Sequence, residues 1–138
     1  MFISDLHIHS KYSRATSRDC VPEYLDLWAR KKGIALIGTG DFTHPAWRAE
    51  LREKLTPSEE GLYALKEEFR LEGIGNSADS RPRFMVSGEI STIYKKNGRV
   101  RKVHSLIPVS YTHLILFPVH FWEFLEPFTA IGGDSLST

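Results

Sequence analysis

Two apolar runs joined by one amphipathic stretch constrain the fold of this chain more than any other feature. The first run covers residues 2–8 and predicts strand one, and the second covers residues 34–37 and predicts strand two. Between them Pro22 suits the first turn of a helix that runs to about Lys32, where Gly33 ends it. The order strand, helix, strand predicts a parallel pair with a crossover helix, and therefore an α/β fold.

Two more helices are predicted after strand two. Residues 46–54 follow His44 and Pro45, and they are expected to form the first of these helices. The second is expected within residues 56–71, where residues 56–60 predict a turn and a helix start with Glu59 and Glu60 in the first turn. Apolar side chains then recur at helical spacing, at Leu62, Leu65 and Phe69.

The next part of the chain predicts strands. Residues 83–86 are expected to form strand three. Residues 90–94 and 100–107 then flank Asn97 and Gly98, a pair that strongly indicates a tight β-hairpin turn.

Length and composition bound the class of protein. The chain has 138 residues, enough for one domain or for part of one, and its single cysteine, Cys20, allows no internal disulfide. No signal peptide is recognisable, so a reduced, cytoplasmic setting is expected. The longest apolar run, residues 114–121, is interrupted by Pro118 and His120 and is too short to span a membrane. The oligomeric state is left open.

Polar side chains recur where the predicted strands end. His7 and His9 follow strand one, Asp41 follows strand two, Glu89 follows strand three, and His104 lies late in the next strand. Because strand ends in parallel α/β folds meet on one face, these side chains are expected to converge. Imidazoles combined with carboxylates suit zinc, manganese or iron. The simpler alternative is that both early histidines are ordinary polar residues at a strand end.

A cluster of this kind favours one reaction type. A carboxylate such as Glu89 is able to bridge two ions, and clustered ions favour hydrolysis of a phosphate ester. The polar loop of residues 11–20 follows directly, and it carries Lys11, Arg14 and Arg18. This loop is either an ordinary solvated loop or a contact surface for phosphates or DNA.

Four short motifs resemble those of PHP (polymerase and histidinol phosphatase) domains. The run Asp-Leu-His-Ile-His-Ser at residues 5–10 resembles the first motif, and Gly-Thr-Gly-Asp at residues 38–41 stands where many PHP domains have Thr-Asp-His. Residues 88–90 and 103–107 resemble the next two motifs. Two longer strings, residues 6–17 and 38–47, are similar to one branch, the endonuclease Q family.

The resemblance covers about residues 1–107 and implies both a fold and an activity. It implies a distorted (β/α)₇ barrel, present here only as its N-terminal part and truncated after about four strands. It also implies up to three divalent ions, with zinc expected first and manganese or magnesium as alternatives. The implied reaction is nicking of DNA on the 5′ side of deaminated bases, such as uracil and hypoxanthine, and at abasic sites.

The resemblance also implies ligand roles. His7, His9 and Glu89 would hold one ion, Glu89 and His104 would share a second, and Asp41 would serve a third. Glu89 and Asp41 are the implied catalytic residues.

The chain departs from the family pattern at several positions. Ala15 stands where many relatives have a further ligand, and Asp19 is a candidate substitute from the same loop. His44 is either a ligand or a neighbour that caps the helix beginning at Pro45, and the second interpretation is preferred.

The composition changes at residue 108. All lysines and arginines lie within residues 1–107, which carry a net charge of +4, whereas residues 108–138 hold three acidic residues and no base. The string Pro-Val-Ser-Tyr-Thr-His-Leu is also similar to translated adapter sequence. Residues 108–138 are therefore interpreted as an unrelated or artefactual tail, and a genuine divergent tail is the alternative.

Three functions remain in competition at this point. The leading hypothesis is a metal-dependent DNA endonuclease, present as a truncated fragment with little activity and poor solubility. A PHP-type phosphoesterase for small molecules shares the same metal chemistry. A metal-binding fragment without turnover is the third hypothesis.

Overall fold

The computed structural model of the protein describes residues 1–73 and 81–109. Its first three elements are strand β1 (Ile3–Asp5), helix α1 (Pro22–Lys32) and strand β2 (Ile34–Gly38). Strands β1 and β2 pair in parallel, which confirms the predicted strand–helix–strand unit. Helix α1 has Pro22 in its first turn and ends at Gly33 in the left-handed conformation, as the sequence indicates.

Strand β1 is shorter than predicted, because residues 6–8 lie outside it. A register shift interrupts its pairing with β2 between Ile3 and Ser4, and β1 lies at the edge of the sheet. Beyond Asp5 the chain passes closely over the end of β2, where the Leu6 carbonyl oxygen approaches Gly38. Because of this close crossing, His7 and His9 lie over the end of the sheet, outside the paired residues of β1.

Helix α2 (Pro45–Lys54) matches the predicted helix closely. His44 is its N-cap residue, and the Trp47 backbone N–H donates to His44 Nδ1 at 3.4 Å. This confirms the preferred interpretation of His44 as a capping residue.

The helix predicted over residues 56–71 is wrong. The segment forms strand β3 (Leu55–Pro57), strand β4 (Tyr63–Leu65) and a short 3₁₀ turn at Glu67–Phe69. A turn joins the two strands, in which Gly61 has a φ of 76° and Ser58 N–H donates to the Leu62 carbonyl. Pro57 is tolerated because β3 is an edge strand. The apolar spacing correctly indicated a core residue, since Leu65 is buried. The helical period of that spacing wrongly indicated a helix.

Strand β5 (Arg83–Lys96) and strand β6 (Arg99–Val109) form the predicted hairpin. Asn97 and Gly98 have φ values of 54° and 72°, which fits a type I′ turn. Residues 83–86 and 90–94 were predicted as separate strands, but they belong to one continuous strand. Glu89 therefore lies in the middle of a strand and not at its end.

The six strands form one open, mixed sheet. Its order is β1-β2-β5-β4-β3, with β6 paired to the outer part of β5. Strands β1, β2 and β5 are parallel, whereas β3, β4 and β6 run antiparallel to their neighbours. The described residues thus show an α/β fold, but they do not close into the barrel that the resemblance implies.

The core lies between the two helices and the parallel strands. Trp47 and Phe84 are fully buried at its centre. A second, smaller cluster joins Phe42, Val86 and Val109. Val109 is the last residue of β6, which therefore ends two residues past the predicted boundary at residue 107. The remainder of the expected tail, residues 110–138, lies outside the described residues.

Neither helix described in residues 1–73 and 81–109 is long and apolar enough to cross a membrane.

Candidate metal centre

Three histidines converge on the carboxylate of Glu89. His7 Nε2 lies 3.0 Å and His9 Nε2 lies 3.3 Å from Glu89 Oε2. His104 Nδ1 contacts the other carboxylate oxygen, Glu89 Oε1. Residues far apart in the sequence therefore meet at one point, as predicted, although two of the histidines leave the sheet before they reach it.

The two oxygens of Glu89 face different groups. Oε2 faces His7 and His9, while Oε1 faces His104. One ligand atom from each of His7, His9 and Glu89 lies within 4.8 Å of the others, a spacing compatible with a shared ion. The Glu89 side chain is 13% exposed, and imidazole nitrogens face both of its oxygens. Histidine nitrogens gathered around one carboxylate are a donor set that fits a divalent cation such as zinc.

The carboxylate of Asp41 contacts this cluster at His9. Its Oδ1 lies 3.3 Å from His9 Nδ1, and its Oδ2 accepts hydrogen bonds from Ser10 N–H, Ser10 Oγ and Ser13 Oγ at 2.6 to 2.8 Å. Burial alone would raise the pKa of Asp41, but the bonds from Ser10, Ser13 and His9 outweigh it and lower that pKa below 3.8. Asp41 is therefore an anion at neutral pH, and its Oδ2 accepts three hydrogen bonds.

The backbone at the end of β2 explains how Asp41 reaches that position. Gly40 and Asp41 both have positive φ, at 64° and 45°. A Cβ at position 40 would lie 2.2 Å from the Ile8 carbonyl oxygen, so only glycine fits beneath the histidine segment. Asp41 is held in a conformation that residues other than glycine seldom adopt, a feature often found at functional sites.

Helix α2 supports the same turn. The buried indole Nε1–H of Trp47 donates to the carbonyls of Thr39 and Gly40, at 3.2 and 3.0 Å. The His44 ring stacks on Tyr12 with their centroids 4.4 Å apart. These contacts fix the loop after β2 and the loop after His9 against one helix.

The basic loop residues differ in their surroundings. Lys11 Nζ forms an ion pair with Glu50 Oε2 at 2.7 Å, whereas Arg14 and Arg18 are exposed. Burial would raise the pKa of Glu50, but Lys11 and Lys54 lower it overall. Asp19, the candidate substitute ligand, is exposed and lies outside the histidine–glutamate cluster found among residues 1–73 and 81–109.

Sequence reasoning missed the side chains that support the cluster. Ser10 was named only as the last residue of the first motif and Ser13 lay in the polar loop, yet both donate to Asp41. Their closeness to His9 in the sequence was the available signal. Glu50 gave no signal, since its pairing with Lys11 depends on the packing of helix α2.

Comparisons with known proteins point to one group of enzymes. No model of a known protein family matches the chain. A stretch of 49 residues is 45% identical to an uncharacterized protein of Methanocaldococcus jannaschii, and it covers 36% of this chain and 6% of that protein.

Two solved structures are similar to the fold. The lesion-specific endonuclease PfuEndoQ of Pyrococcus furiosus matches with a TM-score of 0.50 and 30% identity, over 62% of this chain and 18% of that one. Endonuclease Q in complex with a 27-mer duplex carrying an abasic lesion at the active site matches with a TM-score of 0.62 and 26% identity, over 90% and 25%. The chain thus spans a quarter or less of each relative, and these neighbours support a relation to the endonuclease Q family.

Proposed function

We propose that this chain carries the N-terminal, metal-binding part of a metal-dependent phosphodiesterase. The proposed reaction is nicking of DNA on the 5′ side of deaminated bases and at abasic sites. The observation that carries the proposal is the convergence of His7, His9 and His104 on Glu89, in a fold similar to a nuclease bound to an abasic duplex.

The residues divide into two groups of ligands around one carboxylate. His7, His9 and Glu89 Oε2 would hold one ion, and Glu89 Oε1 with His104 would hold a second. Zinc suits this nitrogen and oxygen donor set best, and manganese or magnesium are alternatives. Bound ions would supply Lewis acidity that activates water and neutralises charge on the phosphodiester.

Asp41 has a different role in this proposal. Its anionic carboxylate lies against His9 Nδ1, so it is placed to fix the ring and leave Nε2 directed at the metal position. Because Ser10 and Ser13 occupy the other oxygen, Asp41 acts here as a positioning residue. Its service to a third ion stays a prediction.

Contact with DNA is proposed for the loop beside the cluster. Arg14 and Arg18 are exposed there and are placed to contact phosphates. Lys11 was predicted for the same role, and its ion pair with Glu50 would first have to open. Binding through these cations would weaken as salt rises.

Turnover by these 138 residues is expected to be slow. The described residues offer the second ion only Glu89 and His104, whereas catalytic zinc sites usually have three protein ligands. The second ion should therefore bind weakly. We expect a weak second ion to reduce the rate of nicking more than it reduces DNA binding.

The test compares substrates on the full chain with zinc or manganese added. We expect metal-dependent binding of an abasic or uracil-containing duplex, with any nick on the 5′ side of the lesion. A chelator should abolish the metal-dependent part. Release of phosphate from small esters without duplex binding would support the small-molecule phosphoesterase instead. Metal binding with neither activity would leave only the non-catalytic hypothesis.

A further inference from the structure

The outer part of the β5–β6 hairpin projects from the sheet as an exposed, basic ribbon. All side chains of residues 91–106 are exposed. Residues 90–107 contain five lysines and arginines and no acidic residue. None of these five cations takes part in an ion pair within the part of the chain that the structure describes. The ribbon therefore presents concentrated positive charge to solvent.

The strand register sorts these charges onto two faces. Residues directly opposite each other in an antiparallel pair share a face, and faces alternate along each strand. The pairs Ser91–His104, Ile93–Lys102 and Lys95–Val100 therefore share the face of Glu89. The contact between His104 and Glu89 confirms that this face is continuous with the metal cluster.

The opposite face is basic as well, but it points away from the cluster. It carries the pairs Thr92–Val103, Tyr94–Arg101 and Lys96–Arg99. Twist of the ribbon rotates both faces together, so they remain on opposite sides. We call the face of Glu89, Lys95 and Lys102 the near face and the face of Lys96, Arg99 and Arg101 the far face.

We propose that the near face of the hairpin is a track for the phosphate backbone of duplex DNA beside the candidate metal centre. This inference rests on the proposed function and extends it to residues outside the cluster. Lys102 and Lys95 are the phosphate contacts in this proposal, and Ile93 and Val100, which stand directly opposite them on the partner strands, contact the sugars.

The dimensions of the near face fit a duplex. Lys95 lies six residue steps along β5 from Glu89, which is about 20 Å of strand. A duplex rises about 3.4 Å per base pair, so the face spans about six base pairs. The row of Lys102 and the row of Lys95 lie about 7 Å apart, close to two base-pair steps.

Charge complementarity favours a nucleic acid over a protein partner for this ribbon. Protein–protein interfaces are depleted of lysine around their apolar core. Here Ile93 and Val100, which are 66% and 63% exposed, have only lysine, serine and histidine beside them on the near face. A polyanion satisfies all of these cations at once.

The experiment compares two double variants of the full chain that lose the same charge. Lys95→Gln with Lys102→Gln removes the near-face cations, and Lys96→Gln with Arg101→Gln is the matched far-face control. Binding of an abasic duplex is measured over a salt series. We expect the near-face variant to lose about tenfold in affinity at low salt, with a slope of log K against log salt shallower by about 2. The far-face variant should change affinity by less than about twofold.

A second measurement does not depend on the size of the affinity change. In a Cys20→Ser background, a photo-crosslinker is attached through Lys102→Cys or, as control, through Arg101→Cys. Crosslinks to the duplex near the lesion are expected from the first position and not from the second.

The outcomes distinguish a failure of the phosphate track from a failure of the proposed function. Equal losses from both double variants, or equal crosslinking from both positions, would overturn the track while duplex binding by the unmodified chain upholds the proposed function. Absence of duplex binding by the unmodified chain would overturn both. Crosslinking between two copies of the chain and not to the duplex would assign the ribbon to a protein contact and overturn the track alone.

Discussion

The inner half of strand β5, residues 83–88, and its outer half, residues 90–96, have opposite surroundings. In the inner half, Phe84 and Ser87 are fully buried and Val86 is nearly so. In the outer half, Ile93 and Tyr94 are exposed at 66% and 45%. Glu89 lies between the two halves. The difference assigns the stability of this strand to the inner half, and our proposal places contact with DNA in the outer half, with the candidate site at their junction.

Neighbouring strands explain the difference. The inner half of β5 pairs with β2 on one side and β4 on the other, and helices cover the sheet there. Among residues 1–73 and 81–109, the outer half pairs only with β6. A two-stranded ribbon is marginally stable in water, so the outer half should open locally more readily than the core.

The largest effect is expected from a core substitution in the inner half. Phe84→Ala should lower the free energy of unfolding by about 3–5 kcal/mol, because it removes a fully buried ring and leaves a cavity. Ile93→Ala in the outer half is the matched control and should cost less than about 1 kcal/mol. Urea unfolding followed by circular dichroism measures both. Equal losses would mean that the two halves of β5 form one cooperative unit.

The buried ion pair of helix α1 should give the next largest effect. Arg30 Nε donates to Asp26 Oδ2 at 2.8 Å, and both residues are buried, so Asp26→Asn removes the negative charge of a buried ion pair. The expected loss is about 3 kcal/mol. Glu67→Gln removes an exposed pair with Arg81 and should cost at most about 1 kcal/mol. A thermal melt in which both variants lose the same stability would contradict the assignment of stability to the buried part.

The smallest effect concerns acid pH. Hydrogen bonds from Arg83 lower the pKa of exposed Glu59 from 4.5 to about 2. A carboxyl group with a lowered folded pKa stabilises the fold above its unfolded pKa and loses that contribution as pH falls. The stability difference between the unmodified chain and Glu59→Gln should therefore be largest above pH 4.5, shrink as pH falls towards 2 and vanish below it. Glu60→Gln, at the neighbouring exposed position, is the control. A difference that grows as pH falls would contradict the pairing.

Local signals made much of the fold predictable. Pro22 and Gly33 mark the two ends of helix α1, and Asn97 with Gly98 marks the hairpin turn. Proline fixes φ, whereas glycine and asparagine tolerate the positive φ found at the other three positions. Residues 56–71 were mispredicted because the apolar period there agrees with a helix. The β3–β4 pairing depends instead on the turn at Gly61 and on contact with β5.

The candidate site was predictable for the residues that carry the motifs. His7, His9, Glu89 and His104 were selected from their positions along successive strands, and the structure brings them together. The supporting contacts were not predictable, since the Lys11–Glu50 ion pair and the hydrogen bonds between Trp47 and the loop carbonyls depend on how helix α2 packs. Long-range packing leaves no local pattern in the sequence.

The measurement that tests the central claim most directly is a zinc titration of the full chain and of Glu89→Gln, with Glu53→Gln as a surface control. If Glu89 joins all three histidines in one site, its variant should lose at least about a hundredfold in zinc affinity. That loss should exceed those of His7→Gln and His104→Gln, because each of these removes a ligand from only one ion. The Glu53 variant should bind as the unmodified chain does. Equal zinc affinity for the unmodified chain and Glu89→Gln, or no zinc binding by either, would contradict the account.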